Sequence, residues 1–447
     1  MYQPEGLRRC GRLSAAVAAA DKDGGATVER WATTSLAHHD MGGYAEAATT
    51  ARTALALDAA APLAAAAHGL AALQLGDVEQ AWRDAEMVRT SAPSLTHGAV
   101  LLAGLYTDAG RYDDAVSMLD KALDRFPVDG DVLLARADVL SWAGDDLAAV
   151  QDVDSVLGRF PQHAPALAVR AVLLLGLETS PEPAFRHASQ AAELEPRCTS
   201  SQLALAATLL AMGQIEEART ACGVALRICD RRGDAVVMAG AVELSAGRPE
   251  QALRILNAEV PQKPSTQTQI CYCRAVAHRQ LNRPLEALEE LDRALHTRPN
   301  HVEARALRAQ MNLEADHLLD ARKDALQVLK TAPQNTAAGV VNATTLLLGD
   351  RPHEAITECR RLLASDPVVV DLLYVHGIAS ASLGHLAEVR HDLSRLTELV
   401  GTDDPVVKQL QAVVHAADSR AARNGRVDVW SVLNRIELVR QVAAHFE

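Results

Sequence analysis

An alanine recurs along this chain every 34 residues, lengthened twice to 35, and no other feature restricts the fold as strongly. The positions are Ala47, Ala81, Ala115, Ala149, Ala184, Ala218, Ala252, Ala287, Ala321 and Ala355. One period further on, the equivalent position holds Val389. A fixed period of this length indicates an array of stacked, similar supersecondary units, so we expect a repeat protein rather than several globular domains.

Three further positions keep nearly fixed distances from the repeated alanine. In the third repeat, Ala103 lies twelve residues before Ala115, Gly110 lies five before it, and Pro127 lies twelve after it. Small residues at two facing positions let antiparallel helices approach closely. The glycine position is suited to a left-handed helix end, and the proline ends the second helix. In three repeats the glycine is replaced by residues that also tolerate this conformation: Asn282, Asp316 and Asp350.

This pattern resembles the tetratricopeptide repeat family, most closely in the third repeat with Tyr106, Gly110-Arg111-Tyr112 and Ala115. The resemblance covers about residues 28–401, or eleven repeats. It implies an all-α fold, a right-handed α-solenoid (superhelix) of helix-turn-helix units whose first helices line a concave face. Residues 1–27 are then expected to form an N-terminal capping helix and linker, and residues 402–447 C-terminal capping helices.

The two ends of the chain carry apolar patterns that need partners. Residues 6–20 are predicted to form a short helix that packs on the first repeat through Leu7, Leu13 and Val17. Near the C-terminus, apolar residues recur at three- and four-residue steps: Val429, Val432, Ile436, Val439, Ala443 and Phe446. Two roles for this stripe stay open, a cap on the last repeat and a seam for a homodimer.

Charge and composition exclude several classes of partner. The net charge of −13 would repel phosphate backbones, so we expect no nucleic acid ligand. No apolar run is long enough to span a membrane, so we do not expect a membrane as a partner. The seven cysteines show no paired framework, which favours a reducing, cytoplasmic location. Basic charge is 38 Arg against 6 Lys, a bias that together with abundant alanine suggests a bacterial source.

By the family register, the concave face carries an apolar strip, and such a strip often marks a binding surface. We expect another protein or a peptide to bind there, with these partner-binding candidates: Leu70, Leu73, Leu134, Trp142, Leu173, Leu203, Leu210, Tyr272, Arg279 and Tyr374. Acidic residues such as Asp40, Asp131 and Asp138 interrupt the strip, and it contains no lysine that could clamp a peptide carboxylate.

Local motifs for catalysis are missing from the sequence. There is no GxxxxGK loop, no GxSxG elbow and no HExxH pair, so we expect no enzyme activity and no cofactor. His38-His39-Asp40 is the one cluster that suggests metal, but consecutive helical residues point about 100° apart, so no metal site is predicted. We therefore expect a protein-binding scaffold or adaptor. The alternatives are a ligand- or peptide-responsive regulatory protein, and an enzyme or enzyme-accessory subunit with a site assembled across repeats.

Overall fold

The computed structural model describes residues 4–22, 27–228, 233–258, 263–421, 438–439 and 441–442. Within these residues it contains 25 helices and no strand, which confirms the all-α prediction. The helices fall into two compact units, Met1–Arg298 and Pro299–Glu447. The first unit holds α1 (Pro4–Arg9), α2 (Leu13–Lys22), α3 (Val28–Met41), α4 (Tyr44–Leu57), α5 (Pro62–Gln74), α6 (Val78–Ser91), α7 (Thr96–Asp108), α8 (Tyr112–Arg125), α9 (Gly130–Ala143), α10 (Asp146–Arg159), α11 (Ala164–Leu177), α12 (Glu182–Leu194), α13 (Thr199–Ala211), α14 (Ile215–Ile228), α15 (Gly233–Ser245), α16 (Pro249–Leu256), α17 (Pro264–Gln280) and α18 (Pro284–Thr297).

The second unit is shorter and contains the remaining seven described helices. They are α19 (Val302–Glu314), α20 (Leu318–Thr331), α21 (Thr336–Leu348), α22 (Pro352–Leu363), α23 (Val370–Ser382), α24 (Leu386–Val400) and α25 (Pro405–Ala421). From α3 to α24, each odd-numbered helix pairs with the even-numbered helix that follows it, which gives eleven helical hairpins. The odd-numbered helices are called first helices below, and the even-numbered ones second helices.

In ten of the eleven hairpins the turn has the left-handed backbone conformation that the sequence predicts; in the α11–α12 hairpin, Glu178 ends α11 with φ −99° instead. Gly144, for example, ends α9 with φ +86°, and its N–H caps the last turn of that helix. Asn282, Asp316 and Asp350 also have positive φ, between +55° and +61°. The left-handed conformation costs these three residues some free energy that glycine avoids. Asparagine and aspartate tolerate it better than other side chains, so they can replace glycine here.

The repeated alanine position lies in the core of every hairpin. All ten alanines, and Val389, are fully buried. In the first repeat the hydroxyl of Ser35 donates a hydrogen bond of 2.7 Å to the carbonyl of Ala47 across the two helices. At the corresponding place in the seventh repeat, a Cβ added to Gly240 would lie 2.7 Å from Leu256. The small residues therefore set the distance between the helices.

A polar pair with a buried acid recurs in five hairpins, always between a first-helix residue and a second-helix acid sixteen positions later. The partner of the acid is the residue immediately before the small residue that lies twelve positions ahead of the repeated alanine. Arg308 contacts Asp324 at 2.7 and 2.9 Å, and the imidazole of His376 lies 2.6 Å from Asp392. The other pairs are His68 with Asp84, Arg136 with Asp152 and Arg274 with Glu290. These contacts tie the two helices of a hairpin together through groups that sequence analysis left unassigned.

The first helices lie on the inside of the curve in the first unit. Consecutive first helices such as α3, α5, α7 and α9 pack against one another, whereas consecutive second helices do not pack to a comparable extent. Contacts also join helices five repeats apart. The Sγ of Cys198 lies 3.7 Å from the carbonyl of Asp40, and the N–H of Ser265 donates a 3.1 Å hydrogen bond to Asp108. The exposed side of these first helices is called the inner surface.

The second unit has a continuous apolar core that includes residues near the C-terminus. Helix α25 packs on α23 and α24, and Leu410 is fully buried there. Leu438, Val439 and Val442 are also buried in this core, each at most 9% exposed. Of the predicted C-terminal stripe only Val439 is among the described residues; Val429, Val432, Ile436, Ala443 and Phe446 lie outside them.

Candidate functional site

A segment of the chain itself lies on the inner surface of the first unit. This N-terminal segment, residues 4–22, consists of α1 and α2, which pack against each other and against α3. The sequence predicts one helix over residues 6–20; the structure has two, because residues 10–12 form a turn at Gly11 with φ +72°. Contacts of the segment extend well beyond the first repeat, to α7, α9, the start of α11 and the end of α12.

Arg8 is the anchor of the segment and is only 2% exposed. Its two terminal nitrogens donate to both carboxylate oxygens of Asp131, at 3.1 and 2.6 Å, and one of them also donates to Asp40 at 2.8 Å. Glu5, one helical turn earlier, accepts two hydrogen bonds of 3.0 Å from the same guanidinium. The Nε2 of His97 lies 3.4 Å away. Asp40, His97 and Asp131 together form what we call the arginine pocket.

Three first helices supply this pocket, one side chain each. Asp40 is on α3, His97 on α7 and Asp131 on α9, in the first, third and fourth repeats. Their convergence on one guanidinium depends on the curvature of the first unit, because no two of them are neighbours in the chain. The bidentate contact with Asp131 is the arrangement that a planar guanidinium makes with a carboxylate and that an ammonium group does not.

The charges in the pocket stabilise one another. Burial alone would raise the pKa of Asp131, but the charge of Arg8 and hydrogen bonds from His97 and Arg8 hold that pKa well below its usual range. The same balance, burial against the charge of Arg8, lowers the pKa of Asp40. For Arg8, burial opposes the charged form, and the two aspartates outweigh it and raise the pKa. The occupied pocket therefore favours a charged guanidinium between charged carboxylates.

A second anchor holds the start of α2. The hydroxyl of Ser14 donates a 2.5 Å hydrogen bond to Glu195, and its backbone N–H lies 3.3 Å from the same carboxylate. Glu195 is 5% exposed, and its carboxylate lies at the N-terminus of α2, which is the positive end of that helix. Between the two anchors, Gly11 lies against His163, since a Cβ on Gly11 would lie 2.7 Å from the Cα of that residue. Burial lowers the pKa of His163, whose Nδ1 accepts a hydrogen bond from the N–H of Ala166.

The predicted partner-binding residues divide by exposure. Four of them pack in the core: Leu70, Leu73, Leu173 and Tyr374, of which none is more than 7% exposed. Tyr374 donates a hydrogen bond to Gln409. Leu134, Leu203, Leu210, Tyr272 and Arg279 are half-buried. Trp142 is 38% exposed, with the guanidinium of Arg298 5.1 Å from the centre of its ring. Six of the ten candidates are therefore accessible on first helices.

The arginine pocket was not identified from sequence, although its acids were noted as interruptions of the apolar strip. Asp40 belongs to the His38-His39-Asp40 cluster, and the structure shows it bound to Arg8, with the Nδ1 of His39 3.4 Å away. Across the described ranges, no three or more His, Cys, Asp or Glu residues are grouped to hold a metal ion. In the same ranges, every helix is too short or too polar to cross a membrane.

Comparisons with known proteins agree with the repeat pattern. A family profile described as "Tetratricopeptide repeat" matches residues 101–164 and 272–336. No curated protein matches the chain. A chain of the APC/C hetero-tetramer Cut9–Hcn1 is similar in structure, with a TM-score of 0.53 at 11% identity, over 92% of this chain and 95% of that one.

Two further solved structures have lower scores. Yeast Tom70 has a TM-score of 0.43 at 12% identity, over 91% of this chain and 97% of that one. A tetratricopeptide repeat protein from Parabacteroides merdae has a TM-score of 0.40 at 16% identity, over 64% of this chain and 98% of that one. The profile match shows tetratricopeptide repeats in this chain at residues 101–164 and 272–336, and the eleven hairpins continue the same helix-turn-helix architecture from α3 to α24.

Proposed function

We propose that this chain is a non-catalytic scaffold or adaptor that binds a protein or peptide on the inner surface of its first unit. The observation that carries the proposal is the docked N-terminal segment. Side chains from four different repeats hold this segment through two of its features, the buried side chain of Arg8 and the N-terminus of α2. A surface that binds a segment of its own chain in this way has the chemistry needed to bind a segment of another.

The inner surface also offers apolar contacts beside these polar anchors. Leu134 and Tyr272 are half-buried, and Trp142 is exposed enough for contact with a partner. A mixture of an aromatic side chain, aliphatic side chains and a few placed charges is typical of a protein interface. The six free cysteines among the described residues fit a reducing compartment, so we place the function in the cytoplasm.

The buried C-terminal residues favour one of the two roles predicted for the C-terminal stripe, a cap on the last repeat, and not the other, a homodimer seam. Leu438, Val439 and Val442 contact the core of the second unit and are not available to a second copy. We therefore propose that the chain binds a different protein and does not depend on self-association through its C-terminal helix.

The proposal is tested by placing a photo-activatable cross-linking amino acid at single positions in the native host. Leu134 and Leu203, half-buried on the first helices α9 and α13, are the test positions. Leu147 on the second helix α10 is 68% exposed and is the control. We expect both test positions to cross-link the same protein and the control position to cross-link it weakly or not at all. Equal cross-linking from Leu147 would contradict binding on the inner surface.

A further inference from the structure

The arginine pocket selects for one kind of side chain. Asp40 and Asp131 both lie within 3.1 Å of the same nitrogen of Arg8, so an empty pocket would leave two carboxylates close together. A cation is needed to relieve this repulsion. The Asp131 contact uses two nitrogens of one planar group, which favours arginine over lysine.

A second constraint follows from the turn between α1 and α2. Three residues after Arg8, the chain comes so close to His163 that a Cβ at Gly11 would lie 2.7 Å from its Cα and 2.8 Å from its ring. The contact with the Cα is to backbone, which cannot move aside as a flexible side chain can. An occupant of this site that follows the same path therefore needs glycine at that place.

The N-terminal segment fills the site only in part. A cavity of about 320 Å³ lies beside α2, lined on the segment side by Ser14, Val17 and Ala18 and on the repeat side by residues that include His38 and Met41. Helix α2 is rich in alanine, which has too little side chain to fill such a space. An occupant with larger side chains at the places of Val17 and Ala18 would bury more apolar surface than the segment does.

We infer that the N-terminal segment is an intramolecular ligand, and that it competes with a partner whose helical segment carries an arginine followed three residues later by a glycine. The inference rests on the proposed function, since it names the partner chemistry of the same inner surface. The arginine of the partner enters the arginine pocket when Arg8 leaves it, and larger side chains of the partner fill the cavity beside α2.

The test uses the full-length chain and a fluorescent peptide of residues 4–22 as the probe. Two variants of the chain open the site by different means: Arg8→Glu reverses the anchoring charge, and Gly11→Val introduces a clash with His163. Hydrogen exchange of the segment reports its release, and circular dichroism reports that the repeats stay folded. We expect the probe to bind both opened chains at least about tenfold more tightly than wild type, because the tethered competitor is lost.

Control substitutions in the peptide and in the full-length chain distinguish recognition of the arginine from nonspecific binding. Peptides with Arg8→Ala or Arg8→Lys should lose roughly tenfold to hundredfold in affinity for the opened chains, the loss expected when a charge-assisted contact is removed. Adding Asp131→Asn to the Arg8→Glu chain should cause a similar loss for the unaltered peptide. Equal affinity of the unaltered peptide and the Arg8→Ala peptide would overturn the inference. So would failure of both opening variants to release the segment, or failure of the probe to bind the chains that they open.

Failure here and failure of the proposed function would look different. If the inner surface binds a partner without using the arginine pocket, cross-linking from Leu134 and Leu203 persists while the peptides show no dependence on arginine. If the inner surface is not a binding surface at all, cross-linking from those positions is absent as well.

Discussion

The close contact at the repeated alanine predicts a large difference between two similar substitutions on α4. Ala47 is fully buried against Ser35, whereas Ala45, two residues earlier on the same helix, is exposed. Replacing either with leucine changes helix propensity equally, so propensity cannot explain a difference between them. Ala47→Leu must separate α3 from α4 and strain the 2.7 Å hydrogen bond from Ser35 to the carbonyl of residue 47.

The expected cost of Ala47→Leu is about 1–3 kcal/mol for overpacking, with about 1 kcal/mol more if the Ser35 hydrogen bond is lost. Ala45→Leu should stay within about 0.5 kcal/mol of wild type. Urea denaturation followed by circular dichroism measures both. Because the first hairpin contacts mainly the second repeat and the N-terminal segment, hydrogen exchange should rise most over residues 28–57, less over those neighbours, and little elsewhere. Equal effects of the two substitutions would refute the packing register.

Three further outcomes follow from the charges and the terminal contacts. The pKa values of Asp40 and Asp131 are lowered when the arginine pocket is occupied, so protonation favours release: the protection factor of the N-terminal segment in hydrogen exchange, measured relative to the intrinsic rate at each pH, should stay high above about pH 4 and fall progressively below it. Asp324→Asn removes the acid shared by two arginines and should cost about 1–3 kcal/mol, whereas Asp320→Asn, exposed on the same helix, should cost almost nothing by thermal unfolding. Val442→Asp should destabilise the second unit by at least about 2 kcal/mol without changing the mass measured by light scattering; a halved mass would instead favour the dimer seam.

Much of the repeat architecture could be predicted from sequence because it depends on local geometry. Gly144 ends its helix in the left-handed conformation, and Asp316 does so without being glycine, as its place in the pattern predicts. The small residues lie in the core as expected. The recurring polar pair, such as Arg308 with Asp324, was also present in the sequence as charges sixteen residues apart, and aligning the repeats by their alanines would have found it.

The site of the N-terminal segment could not be predicted in this way. Arg8 and Asp131 are separated by 123 residues and meet only because the first unit curves by a particular amount. That curvature depends on small offsets in packing between successive hairpins, which the repeat pattern does not determine. Burial of Leu70 and Leu173 has the same origin, because the register places them on first helices but does not show which neighbour covers them.

The central claim is that an arginine held by acidic residues fixes the N-terminal segment to the inner surface, and a charge exchange in the full-length chain tests it most directly. Arg8→Asp and Asp131→Arg should each speed hydrogen exchange of residues 4–22, because each places like charges together in the pocket. The double variant restores an opposite-charge pair and should recover much of the protection. Single variants that leave the exchange rate of residues 4–22 unchanged would contradict the account, because Arg8 would then not hold the segment. A double variant whose exchange rate equals the sum of the two single increases would contradict it as well.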